Sequence, residues 1–179
     1  MGVKIALYVF IIAGCGLYGI LKAQKYGERV KLLEDFVQAA EIIKIELVYR
    51  REPLPDLLHR LSKNGKKSGE FFAAVSDGYT ESVLSPEAIG SFSMEQCWKL
   101  GINKVYGSSS LTNEDREIIA ELGRMLGTSG IDGQSSIIEG IILRLKNQLT
   151  EAENEKKTKG KMQISLGFAA GITIVILLI

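Results

Sequence analysis

The sequence predicts an all-α protein: a compact bundle of about six helices, flanked by N- and C-terminal transmembrane helices. Three observations predict it. Each end of the chain carries a long uncharged apolar run, residues 5–21 and 164–179. Between the runs, apolar residues recur at steps of three and four, and no segment alternates with period two over a useful length. Proline is scarce, three in 179 residues, which suits long helices with few interruptions. The expected division is an N-terminal membrane helix over 1–22, a helical bundle domain over 23–161 and a C-terminal membrane helix over 162–179.

The charges nearly cancel, 22 Lys and Arg against 21 Asp and Glu, a formal +1. That balance argues against a dedicated nucleic-acid binder, which is usually strongly basic. Nearly all the charge lies in the middle of the chain. Of the two cysteines, Cys15 lies inside the first apolar run and Cys97 in a helical pattern beside Trp98. A disulfide between them is not expected, and no disulfide framework is suggested.

The first run, IALYVFIIAGCGLYGIL, has seventeen uncharged residues between Lys4 and Lys22. The second is uncharged to Ile179 and reaches eighteen residues when extended back through Met162. Each is near the lower limit for crossing a bilayer, about 17–20 residues at a rise of about 1.5 Å. The second run is apolar on every face, and a water-soluble domain would leave such a tail exposed. Lys22, Lys25, Arg29 and Lys31 follow the first run; Lys156, Lys157, Lys159 and Lys161 precede the second. Outside them there is only Lys4 with the amino terminus. The positive-inside rule therefore puts residues 22–161 in the cytoplasm and both termini across the membrane. Gly167 and Gly171 form a G-x-x-x-G, the spacing that lets two helix backbones approach closely, and Ala13, Gly14, Gly16 and Gly19 make the first run a candidate partner. A rival reading takes Ile12-Ala13-Gly14-Cys15 as a lipoprotein cleavage box with Cys15 lipidated. Against it stand the short leader, its single lysine, and the apolar residues Leu17, Tyr18, Ile20 and Leu21 beyond the cysteine.

The elements follow in order. Residues 26–51 read as an amphipathic helix with Leu33, Phe36, Val37, Ala40, Ile43 and Leu47 on its apolar side and Glu34, Lys44 and Glu46 between them. No turn cluster separates it from the first apolar run, and Gly27 is the one weak point. Pro53 ends it, and Pro55 opens a short helix over 56–61, with Asp56 favourable near its start. Residues 64–69 read as a loop, and 70–83 as a helix with Phe71, Phe72, Val75 and Tyr79 as its apolar positions. Ser85, Pro86 and Glu87 form a start signal for a helix to about 105, with Ile89, Phe92, Cys97, Trp98 and Ile102 inward. After a loop over 107–110, Thr112 to Asp115 opens the next helix, with Leu111 as a staple and Ile118, Ile119, Leu122, Met125 and Leu126 as its stripe. Residues 127–133 read as a turn. The last helix starts near Gln134, buries Ile137, Ile138, Ile141, Leu145 and Leu149, and runs on into the second apolar run, with Gly160 as a potential bend.

A search for chemistry finds little. His59 is the sole histidine, on a short helix near Asp56 and Arg60; as a reactive group it would make the chain a small membrane-anchored enzyme, but a surface histidine is the simpler reading. There is no H-E-x-x-H and no C-x-x-C. Lys66-Lys67-Ser68 after Gly65 lacks the leading glycine of a phosphate loop, which Arg60 replaces, and no strand precedes it. Ser108 to Ser110 have no histidine partner, and Asp132-Gly133 lacks calcium-loop spacing. No enzyme, metal or cofactor is expected. The basic loop with Lys63, Lys66 and Lys67 and the acidic stretch from Glu114 to Glu121 are candidate partner surfaces by charge alone.

The order of features resembles the stage III sporulation protein AB family over essentially the whole chain. The residues that carry this are Glu46-Leu47 with Tyr49, then Pro53-Leu54-Pro55 and Cys97-Trp98-Lys99. Later come Leu126-Gly127 with Gln134, and Lys161-Met162 with Ser165-Leu166-Gly167 before the apolar end. Cys15 is not taken as a family feature. The resemblance implies a non-enzymatic assembly platform or adaptor in a multi-protein channel between mother cell and forespore. Its domain would be similar to the cytoplasmic domains of the type II secretion platform protein. It further implies a cytoplasmic secretion-type ATPase, stage III sporulation protein AA, as partner, along with other channel subunits and potential homo-oligomers. The chain would sit on the mother-cell side of the outer forespore membrane.

Overall fold

The computed structural model describes residues 2–84, 93–126 and 134–178, and every described element is helical. The elements are α1 (Gly2–Ile45) with a terminal π turn (Glu46–Arg50), α2 (Leu54–Leu61), α3 (Lys67–Leu84), α4 (Met94–Tyr106), α5 (Asn113–Leu126), α6 (Gln134–Glu155), a second π turn (Lys156–Gly160) and α7 (Lys161–Leu178). Counting each π turn with the helix it continues, these are six continuous helices, as the apolar periodicity predicts. The start signal Ser85-Pro86-Glu87, with Ile89 and Phe92, and the turn over 127–133 lie outside the described residues.

The chain divides into two compact units, residues 31–149 and residues 2–30 with 150–178. In the first, the predicted stripes supply much of the core: Leu33, Phe36, Val37, Ala40 and Ile43 from α1, Ile118, Ile119 and Leu122 from α5, and Ile138, Ile141 and Leu145 from α6; Leu57, Leu58 and Leu61 of α2 join them. At its centre is an aromatic cluster. Phe71 touches Trp98, Phe72 and Tyr106 at ring-centroid distances of 5.0, 5.1 and 5.5 Å, and Phe36 closes the group. Such pairs add about 0.5–1.5 kcal/mol each beyond area burial. Two glycines admit these rings: a methyl built on Gly101 would sit 3.1 Å from Phe71 Cε2, and one on Gly123 would overlap the Trp98 indole.

Local cap chemistry sets the helix starts. Leu54 and Pro55 open α2 one turn after Arg51, which ends the preceding turn in the left-handed conformation at φ 52°. At α5, Thr112 and Asp115 cap reciprocally: the Thr112 N–H donates to Asp115 Oδ2 at 2.8 Å, and the Asp115 N–H to Thr112 Oγ1 at 3.1 Å. Leu111 beside them is buried.

The structure corrects four expectations. Helix α4 begins at a capping box, Ser93 with Gln96, so the helix expected to start at Ser85 has a start signal further on; the S-x-x-Q spacing was in the sequence. Helix α3 begins at Lys67 inside the expected loop. The reason lies on α1, where Asp35 accepts the Ser68 N–H at 2.8 Å and the Ser68 hydroxyl at 2.9 Å and so caps α3 from another element. Glu46, expected on a polar face, is buried and paired with Arg60 at 3.1 Å and Arg50 at 3.3 Å. Ile137, expected in the core, is 51% exposed, and Ile142 is buried instead.

The Asp35 cap yields a first prediction. Asp35→Ala leaves the buried Ser68 amide without its acceptor, a loss of about 1–3 kcal/mol. Hydrogen exchange at the Ser68 amide should quicken and the thermal midpoint fall; an unchanged amide would show that the cap contributes nothing.

Candidate functional site

The second unit holds most of the residues singled out at the chain ends. Two continuous helices, Ala6–Arg50 and Ser135–Leu178, are long and apolar enough to cross a membrane. Their apolar ends pack antiparallel. A methyl built on Gly167 would lie 2.7 Å from the Cys15 carbonyl oxygen and 3.1 Å from Gly19 Cα. One on Gly171 would meet Ile12 Cα at 3.0 Å and Cys15 Cβ at 3.2 Å, and one on Gly19 the Gln163 carbonyl oxygen at 2.7 Å. Gly16 takes the Phe168 ring, whereas Gly14 faces open space. The G-x-x-x-G pair therefore lies against Ile12, Cys15 and Gly19 in one seam, where the lack of side chains lets backbones approach. Cys15 lies in this seam and forms no disulfide.

The basic flanks separate by environment. Arg29 is buried and donates to Glu155 at 2.7 Å, and Lys159 pairs with the same carboxylate. Lys22 lies over the Tyr18 ring at 5.4 Å. Lys25, Lys156, Lys157 and Lys161 are exposed and have no acid partner among the described residues. Lys31 belongs to the other unit, where it lines a shallow pocket with Asp35, Lys66 and Lys67.

The Arg29–Glu155 pair was not legible in the sequence, because 126 positions separate its members. Lys159, then Arg29, hold the Glu155 carboxyl below its ordinary value of 4.5. A carboxylate lowered in the folded state stabilises it above the unfolded value, and that contribution is lost as pH falls through the folded value. Glu155→Gln should therefore lower the thermal midpoint at pH 7. The gap from the parent should close as pH drops below about 4. A gap independent of pH would mean that the charge on Glu155 contributes nothing.

Within the 31–149 unit, the candidate partner loop is partly engaged. Lys66 Nζ donates to Gln38 Oε1 at 2.7 Å, Lys67 pairs with Glu70, and Lys63 is exposed. In the acidic stretch, Asp115 is buried as a cap and Glu121 pairs with Arg144. A groove of about 560 Å³ between α1 and α6 is lined by Ile45, Tyr49 and Leu143 and bordered by the ion pairs Lys44–Glu139 and Lys146–Glu41. His59 is exposed, and no cluster of three metal-ligating side chains occurs among the described residues.

Comparison with known proteins gives three findings. The sequence model of the stage III sporulation protein AB family matches residues 4–179. Stage III sporulation protein AB of Bacillus subtilis (strain 168) is 26% identical over 171 residues, 95% of each chain. A solved structure of stage III sporulation protein AB superposes with a TM-score of 0.61 at 20% identity, covering 73% of this chain and 98% of that one; at this identity the likeness speaks to the fold.

Proposed function

The chain belongs to the stage III sporulation protein AB family, and from that premise we propose that it is a non-enzymatic platform subunit of a sporulation channel. The two apolar helices anchor it as a membrane hairpin, and residues 31–149 stand in the cytoplasm. There they couple a secretion-type ATPase, stage III sporulation protein AA, to the membrane complex. The observation that carries the reading is the hairpin itself. Both ends of the chain are apolar, they pack through glycines, and their lysines gather at the same end of the pair. Gly167 and Gly171 act in this reading as packing residues, and the flanking lysines with Arg29 set the orientation. Lys63 is the member of the basic loop left for a partner contact.

Reporter fusions at both termini and at Lys66 test the topology, and detergent extraction with the ATPase as bait tests the partnership. The expected result is cytoplasmic activity at Lys66 alone, with co-purification. Labelling of residues 31–149 from outside intact cells would end this reading.

A further inference from the structure

Six lysines at the inner border of the apolar hairpin come from two places far apart in sequence: Lys22 and Lys25 on α1, and Lys156, Lys157, Lys159 and Lys161 on the second π turn and the start of α7. The antiparallel packing brings them to one level. A methyl on Gly27 would lie 3.8 Å from Lys156 Cε, and Gly19 meets Gln163, so 22–25 stand opposite 158–161. No acid occurs in residues 22–27 or 156–163. The nearest carboxylate on α6, Glu155, is committed to Arg29 and Lys159. Five of the lysines, all but Lys159, are exposed without an acid partner among the described residues.

Like charges crowded within a Debye length, about 8 Å at physiological salt, repel one another. Lys157 and Lys161 stand four apart on one helical face, an unfavourable spacing for like charges. The collar therefore calls for external anions, and it borders the apolar segment, with Tyr18 and Tyr26 beside it as amphipathic rings suited to an interface. We infer that this lysine collar binds the headgroups of anionic phospholipids and holds them around the hairpin. This rests on the membrane reading above, and it gives the lysines a ligand in addition to an orienting role. The π turn contributes directly: Lys156, Lys157 and Lys159 within it are all exposed, so three cations leave the helix within one widened turn.

The test uses the full chain, purified in detergent and reconstituted in vesicles of phosphatidylcholine alone or with 30 mol% phosphatidylglycerol, a composition chosen at roughly the anionic content that draws polybasic segments. Spin-labelled phosphatidylglycerol and phosphatidylcholine report the lipid immobilised on the protein. The expected result is about fivefold or greater preference for phosphatidylglycerol, reduced by high salt and lost in K25Q/K156Q/K157Q/K161Q. Equal immobilisation of the two lipids by the parent chain, or a preference that survives in the variant, overturns the inference. Resistance to carbonate extraction from pure phosphatidylcholine vesicles reports insertion separately. A chain that fails to insert there overturns the membrane reading and the collar with it.

Discussion

Trp98→Ala is expected to destabilise the helical unit by about 3–5 kcal/mol. The ring is fully buried, with Phe71 and Phe72 rings at 5.0 and 5.9 Å, and lies against the open face of Gly123. Its Nε1 donates to the Ile119 carbonyl at 2.8 Å, tying α4 to α5. Removing the indole leaves a cavity among rigid rings and a buried carbonyl without its donor, and the two losses add. At about 2–4 °C per kcal/mol for a chain of this size, the thermal midpoint should fall by roughly 10 °C. Since Trp98 is the only tryptophan, the melt is followed by circular dichroism at the helix band. The complementary change is Gly123→Val, which drives branched methyls into the space the indole fills and costs about 1–3 kcal/mol. A Trp98→Ala variant that melts with the parent would mean that the aromatic cluster is not the centre of the core.

The hairpin carries the other large effect. In a Cys97→Ala background, Gly171→Cys should cross-link to Cys15 within one chain on mild oxidation. The two Cβ positions are 3.2 Å apart before relaxation, and a disulfide wants about 3.5–4.5 Å. Gly14→Cys, pointing into open space, should not form a bond with an α7 cysteine and serves as the control. Adding Gly19→Leu to the cross-linking pair should abolish the bond. A leucine at Gly19 begins 2.7 Å from the Gln163 carbonyl oxygen, a backbone atom that cannot rotate away. The helices must then separate, and small-residue seams have no other source of close packing in lipid. Intact-mass measurement on the same samples shows whether Cys15 is a free thiol. An acylated Cys15 could not form the disulfide and would return the lipoprotein reading. Failure of the Cys15 and Gly171→Cys pair to cross-link, with Cys15 free, would mean that the two helices part company in the bilayer.

Much of the architecture was legible because its signals are local. Apolar spacing along a helix is a property of neighbouring residues, so the stripes of α1, α3 and α5 could be read directly. Pro55 and Thr112 announce helix starts within one turn of where they act. The seam glycines belong to this class too, since small size is a property of the residue itself, although only the packing shows that Gly16 and Gly19 face α7 while Gly14 does not.

By itself the sequence determined the helical class, the two apolar ends, the lysine asymmetry around them, and the lack of any recognisable catalytic pattern. Tertiary structure alone decided which charges are spoken for. Asp35 became the cap of a distant helix, Glu46 went inside with Arg60, Arg29 was buried against Glu155, and the lysines of two remote segments became one collar. The physical reason is that burying a charge is tolerable only where a partner compensates its lost hydration. In this chain most of those partners arrive from another helix, which spacing along the sequence cannot reveal.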